Sequence, residues 1–427
     1  MKKSKKLIFT GLMVLIVVIC IECLARLTYF VMYRRAYNVS NLYNFVKYSN
    51  YKNSDEFALW WDQEIIHPYL GFLIDFKDEK KNKETYGFTT TVNPVIKREP
   101  GKLNVVILGG SVAGSMGRIF RDAFHRVCRV PPNVVTLGVA GYKQPQQLLA
   151  LTYFLSLGAE YDLIINLDGY NDIVLPVTDN YSVGVNPFFP RAWNLRISRQ
   201  PSKKILTVIG EVRYLRDLKE ENLEALTSSF FGGSAVFGLM KVQQFKLFNR
   251  NIDRTIDKLL QLQQEEVKKF EETGPFFAYK DIQQLYDDVG AVWERSSVLL
   301  DHLARENSME YYHFLQPNQY VKGSKVLTEE ERRLAYSERI KTSQSAIIGY
   351  PILIKQGRKL LERNIKFFDA TMVFAKEKET IYVDICCHYN ERGKELLAAY
   401  MMDKIVQNPR IKQFLKEPQP GPGPLKN

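Results

Sequence analysis

Three short apolar runs, Leu103–Leu108, Asn133–Leu137 and Asp162–Leu167, each stop at or one residue before a glycine and each give way to sequence that reads as helix or turn. Short continuous apolar runs bounded by turn residues read as strands buried on both faces. Strands alternating with helices build a parallel sheet covered by helices. In such sheets ligands sit outside the carboxyl ends of the strands. Gly109-Gly110-Ser111 and Gly138-Val139-Ala140-Gly141 follow their runs directly and Gly169-Tyr170-Asn171-Asp172 follows after Asp168, so Ser111, Gly141 and Asn171 fall on one edge.

The alternation breaks at residues 176–280, where no parallel strand is expected. Within it Phe245, Phe248, Ile252, Ile256, Leu259, Val267 and Phe270 keep a 3–4 spacing that only Gln263 interrupts and that ends at Gly274-Pro275. This reads as an amphipathic helix laid on a core rather than on a partner or a membrane surface. The alternation resumes with a helix over 281–306, strands at Met309–Leu315, Ile365–Phe368 and Thr380–Val383, and a helix from Glu391 to about Val406. His388 follows the last of these strands. The expected division is residues 1–35 as stub and anchor and 36–100 as a membrane-proximal lead-in. Residues 101–412 form the sheet domain with its insertion at about 176–280, and 413–427 a disordered tail rich in Pro and Gly.

The formal net charge of +12 resembles a nucleic-acid signal until it is located. Residues 1–35 hold seven Lys or Arg against Glu22 alone, half of the total, and no recognition module is visible, so no nucleic-acid partner is expected. Residues 7–33 are apolar enough to cross a bilayer as a helix. They lack a small-x-small cleavage site and read as an uncleaved anchor rather than a signal peptide. Glu22 and Arg26 can pair on one helix face. Lysines at 2, 3, 5 and 6 place the N-terminus inside and the bulk of the chain outside the membrane. Among five cysteines no spacing suits a metal.

Several glycine-rich readings of Gly109-Gly110-Ser111-Val112-Ala113-Gly114 fail at particular positions. A dinucleotide fingerprint needs glycine where Ser111 stands, and a P-loop needs a lysine that is missing. A nucleophile elbow of Gly-x-Ser-x-Gly type meets Ala113 instead of glycine. A serine lifted by two glycines to the start of a helix can serve as a nucleophile, since N-terminal N–H groups favour developing negative charge. The plain alternative is a helix-capping serine. Of the five histidines, His302 and His313 fall inside expected elements and His125 near a helix end. His388 lies in a loop four residues after Asp384, close enough for a carboxylate to orient it.

These blocks together resemble the SGNH hydrolases, the GDSL-like lipase/esterase superfamily. The matching segments are Ile107 to Ser111, Leu137 to Gly141, Asp168 to Asp172 and Asp384 to His388. His67 to Gly71 and Tyr86 to Phe88 are similar to bacterial membrane-anchored members. The resemblance implies a flavodoxin-like three-layer α/β/α sandwich. It implies Ser111 as nucleophile and His388 as general base and acid, oriented by Asp384. Gly141 N–H, the Asn171 side chain and Ser111 N–H would form the oxyanion hole. It implies no metal and no cofactor, and an acylated glycan, lipid or small ester as substrate. An O-acyltransferase of surface polysaccharide, or a non-catalytic glycan-binding protein, would share the same blocks. Two positions depart from the pattern. Gly110 stands where the family usually has Asp, and Asp384 lies one residue further from His388 than usual. Either a bulged loop brings Asp384 in, or the histidine lacks a strong orienter.

Overall fold

The computed structural model describes residues 2–33, 36–40, 42–43, 64–197, 203–265, 269–275 and 277–416. Arg34, Arg35 and the tail over 417–427 lie outside them. The chain divides into two compact units, Met1–Ala58 with Pro201–Glu265, and Leu59–Gln200 with Glu266–Asn427. In this division the described residues from Glu64 to 100 are grouped with the sheet. The inserted helices over 203–265 are grouped with the N-terminal helix.

The larger unit begins with a hairpin, β1 (Glu64–His67) against β2 (Gly71–Ile74). The main sheet follows: β3 (Asn104–Gly109), β4 (Asn133–Thr136), β5 (Leu163–Asp168), β6 (Glu310–Leu315) and β7 (Phe367–Asp369). All pairings are parallel and the spatial order is β4-β3-β5-β6-β7. Counted along this sheet the order is 2-1-3-4-5, that of flavodoxin-like folds. Every residue of β3, β5 and β6 is buried, as expected of parallel strands covered on both faces. The helices Ser111–Val127 and Glu391–Ile405 pack on each other, while Gln146–Ser156, Ile282–Glu306 and Lys341–Glu362 form a second group. Helices and sheet make a three-layer α/β/α arrangement.

One expected strand is absent. Residues 380–383 form no ladder, and Tyr382 makes only an isolated bridge to Tyr389. The reason is a side chain: Glu331 Oε1 accepts the N–H groups of Ile381 and Tyr382 at 2.8 and 3.0 Å. The other Glu331 oxygen is held by buried Lys325 at 2.7 Å. Apolar residues here pack on the core while a carboxylate takes the place of a neighbouring strand. The sheet's last strand is β7, and His388 stands on a loop well beyond it.

In the smaller unit the N-terminal helix runs Lys2–Tyr33, and an 18-residue window within its stretch Ile8–Tyr33 reaches a mean hydropathy of 2.7. Most of its apolar side chains are exposed, but Ala25, Tyr29 and Tyr33 are buried with Tyr37, Leu223, Leu226, Val242 and Phe245. The helices Lys203–Ser228 and Ala235–Glu265 pack on each other, joining Val212 to Ile252 and Ile256 and Val208 to Leu259. The amphipathic helix thus faces a core as its spacing suggested. It begins earlier than expected and ends at Glu265, with Phe270 71% exposed on a separate short helix. Val267 lies outside the described residues. Glu22 and Arg26 pair at 2.9 Å. Glu22 also accepts from Ser234 Oγ and Ala235 N, each at 2.8 Å, so its carboxylate caps the helix Ala235–Glu265.

Candidate active site

Ser111 is the first residue of its helix, and the cap position belongs to Gly110. The hydroxyl therefore does no capping. It meets His388 Nε2 at 2.7 Å, across 277 residues of sequence. The two glycines before it are sterically required. A Cβ on Gly109 (φ +146°) would lie 2.1 Å from the carbonyl oxygen of Leu167, and one on Gly110 would lie 2.3 Å from Asn171 Nδ2. The departure at Gly110 is thus explained in this chain: the Asn171 amide occupies the space of a side chain there.

His388 Nδ1 meets Asp384 Oδ2 at 2.5 Å. The unusual spacing is absorbed by the loop, which winds around the carboxylate. Asp384 Oδ1 accepts the backbone N–H groups of Cys386, Cys387 and His388 at 3.0, 3.1 and 3.2 Å. Burial pushes the Asp384 carboxyl up, but the His388 imidazole and these N–H groups outweigh it and hold the group below its ordinary range. Of the alternatives left by the sequence, the bulged loop is the one observed.

Three consecutive side chains after β6 fix that loop from outside. Gln319 Nε2 donates to the carbonyl of Asp384 at 3.0 Å, Tyr320 OH to that of Ile385 at 2.9 Å, and Asn318 Nδ2 to that of Cys386 at 3.0 Å. Tyr389 OH donates to the carbonyl of Pro317 at 2.6 Å. Sequence reading missed this clamp. It follows the carboxyl end of β6, and the strand-end rule that singled out Ser111 would have found it.

Asn171 Nδ2 donates to the carbonyl of Tyr142 at 3.0 Å, which ties it to the turn after β4. That turn includes Gly141 at φ +81°. It lies against the start of the Ser111 helix, since a Cβ on Gly138 would come 2.5 Å from Gly114 N. Asp172 accepts Gln144 N at 2.7 Å and Gly169 N at 3.0 Å, binding the same turn from below. Burial, aided by Asp168, pushes the Asp172 carboxyl well up. Beside it Lys143 is buried, donates to the carbonyls of Pro187 and Phe189 at 2.6 Å, and is pulled down to about 7 by burial. Ser111, His388 and Asp384 are thus in direct contact, with the Asn171 amide next to Gly110 and the Gly141 turn alongside. As the first residue of a helix, Ser111 has an N–H with no acceptor within that helix. The set can generate a serine nucleophile and stabilise an oxyanion.

The remaining histidines do not join it. His67 Nδ1 accepts the N–H groups of Tyr69 and Leu70 in the hairpin turn, and His125 and His302 are exposed. His313 is fully buried in β6, bonded to Asp168 and Ser297 at 2.8 Å each. Among the described residues one group, Cys386, Cys387 and His388, brings three possible metal ligands within 4.8 Å. Both ring nitrogens of His388 are engaged, by Ser111 and Asp384, so a metal there would dismantle the contact with one of them.

No protein-family model and no curated protein matches the chain. Solved structures similar to it include the following three. A candidate acylhydrolase from Bacteroides fragilis covers 78% of this chain and 98% of its own at 9% identity, with a TM-score of 0.37. A GDSL-like lipase from Bacteroides thetaiotaomicron covers 77% and 97% at 8% identity and 0.37. A lipase/acylhydrolase from Enterococcus faecalis covers 74% and 100% at 10% identity and 0.33. These neighbours are of the kind that the sequence blocks resemble. Likenesses this distant carry no weight for activity, which rests on the site itself.

Proposed function

We propose that this chain is a serine ester hydrolase of the SGNH, or GDSL-like, type. The supporting observation is the continuous chain from Ser111 Oγ through His388 to Asp384, assembled from segments 277 residues apart. His388 Nε2 takes the Ser111 proton as Oγ attacks an ester carbonyl carbon. Asp384 holds the opposite ring nitrogen as a donor and stabilises the imidazolium. The carbonyl oxygen becomes an oxyanion facing Ser111 N–H, Gly141 N–H and the Asn171 amide. Collapse expels the alcohol, which takes the proton back from His388 and leaves an acyl-serine. Water, activated by the same imidazole, then releases the acid.

The test uses the full chain in detergent. Release of p-nitrophenol from p-nitrophenyl acetate is compared among wild type, Ser111→Ala and His388→Ala. Equal rates in all three would sink the reading. For substrate we propose an acylated glycan, a lipid or a small ester. We further propose that the N-terminal helix is a retained membrane anchor with the hydrolase on the outer side. Its hydropathy and exposed apolar flank support anchoring, and its buried last turns support retention. Carbonate extraction that removed the chain from membranes, or a domain resistant to protease on intact cells, would refute these placements in turn.

A further inference from the structure

Cys386 and Cys387 lie between Asp384 and His388, and their N–H groups supply two of the three donors on Asp384 Oδ1. Their side chains are buried, 7% and 1% exposed, and their Sγ atoms stand 2.7 Å apart. Two thiolates on one zinc ion would be held roughly 3.8 Å apart, given Zn–S bonds of about 2.3 Å. An S–S bond of about 2.05 Å is nearer to the observed separation. We propose that Cys386 and Cys387 close a reversible vicinal disulfide, a covalent modification site inside the loop that carries His388. Its effect on rate rests on the hydrolase reading; the bond itself does not.

The electrons go to a small disulfide by exchange. The thiolate of Cys386, the more exposed, attacks one sulfur of that disulfide and expels a thiol. The Cys387 thiolate then attacks Cys386 Sγ, forms the ring bond and expels the second thiol. One external disulfide is consumed and two thiols are released. Adjacent residues hold their Cα atoms about 3.8 Å apart, short of the roughly 4.4–6.8 Å usual across a disulfide. The bond is therefore strained and easily reduced, the property of regulatory rather than structural disulfides. An outward domain meets the oxidising conditions it needs. Closing it locks the Cys386–Cys387 peptide in the arrangement that already grips Asp384. Reduction returns the loop to the free-thiol form, in which the N–H groups still reach Asp384 but the ring constraint is gone.

The full chain in detergent is incubated with oxidised glutathione or with dithiothreitol, then denatured, alkylated and digested with trypsin. In the oxidised sample the peptide Glu379–Arg392 should be two hydrogens lighter and unalkylated; in the reduced sample it should carry two alkyl groups. Hydrolysis of p-nitrophenyl acetate should be about tenfold faster oxidised than reduced, the scale of a small misplacement of a catalytic group. The double variant Cys386→Ser with Cys387→Ser should stay at the lower rate in both conditions. A dialkylated peptide after oxidised glutathione overturns the modification. A closed bond with equal rates in both states overturns its hold on the site. A protein inactive in every state would sink the hydrolase reading, while the peptide mass still decides on the bond.

Discussion

Among the described residues the larger unit contains two serine–histidine–aspartate chains of similar bond lengths, and one of them is placed to do chemistry. In the first, Ser111 meets Nε2 of His388 and Asp384 meets Nδ1. In the second the ring is turned around: Ser297 meets Nδ1 of His313 at 2.8 Å and Asp168 meets Nε2 at 2.8 Å. The His388 and Asp384 side chains are 33% and 29% exposed, whereas those of His313 and Asp168 are sealed from solvent. Ser297 sits in mid-helix, Trp293 Nε1 donates to the same Asp168 oxygen at 2.8 Å, and the Trp293 ring lies 4.5 Å from the imidazole. No substrate reaches that serine. Hydrogen-bond geometry alone does not define a catalytic set; access, and donors placed where negative charge develops, do. The inner chain has a structural part, since Asp168 also accepts Gln144 Nε2 at 3.4 Å and so braces the turn beside Ser111.

The contrast breaks most directly by truncating each serine. Ser111→Ala or His388→Ala should lower ester kcat by about 10⁴-fold or more, and Ser297→Ala should leave kcat near that of wild type. A large kcat loss in Ser297→Ala with an unchanged fold would erase the distinction. Next, Asp384→Asn should cost about 10³–10⁴-fold, because Nδ1 loses the acceptor that sets its tautomer. Near-normal turnover would show that His388 works as half of a dyad. Asn171→Ala should cost about 10²–10³-fold in kcat with little change in KM, and a pure KM effect would move Asn171 out of the oxyanion hole. Ser297→Ala should instead cost about 1–3 kcal/mol of stability, seen as a lower Tm, because His313 Nδ1 is left without its buried partner.

The smallest effect is one of pH. The folded carboxyl of Asp384 is held below its unfolded value of about 3.9, so its contribution to stability is present above that value. It is lost as pH falls through the lower folded value. The Tm gap between wild type and Asp384→Asn should therefore open as pH rises through the carboxylate range and close in stronger acid. For buried Asp172 the shift is opposite, and its contribution fades as pH rises through the raised value. A gap at Asp384 that widened toward acid would place it with the inner network.

Much of this was legible where local chemistry and tertiary environment agree. β3, β5 and β6 are buried on both faces, so they show as apolar runs, and their glycine-ended turns point to one edge. Residues 380–383 look equally strand-like, yet their N–H groups are taken by Glu331, about fifty positions earlier and marked by no local pattern. Spacing alone cannot show a loop winding around its own aspartate, so Asp384 stayed ambiguous until three N–H groups were seen converging on it. The clamp over 318–320 carries no motif, because it acts on carbonyls, which every residue has; only its place after β6 points to it. His313 falls inside an expected strand, and its full burial there keeps it from any substrate.

Glu22 reaches across 213 positions to the start of the helix at Ala235. On the anchored reading, a helix made early carries the terminus of one made much later. The inserted hairpin can be finished only where the early helix already sits. A cut that freed the chain by removing this helix would leave Ala235 without its carboxylate and Leu226 and Phe245 without part of their cover. For such a chain, shedding from the membrane and partial unfolding are one event.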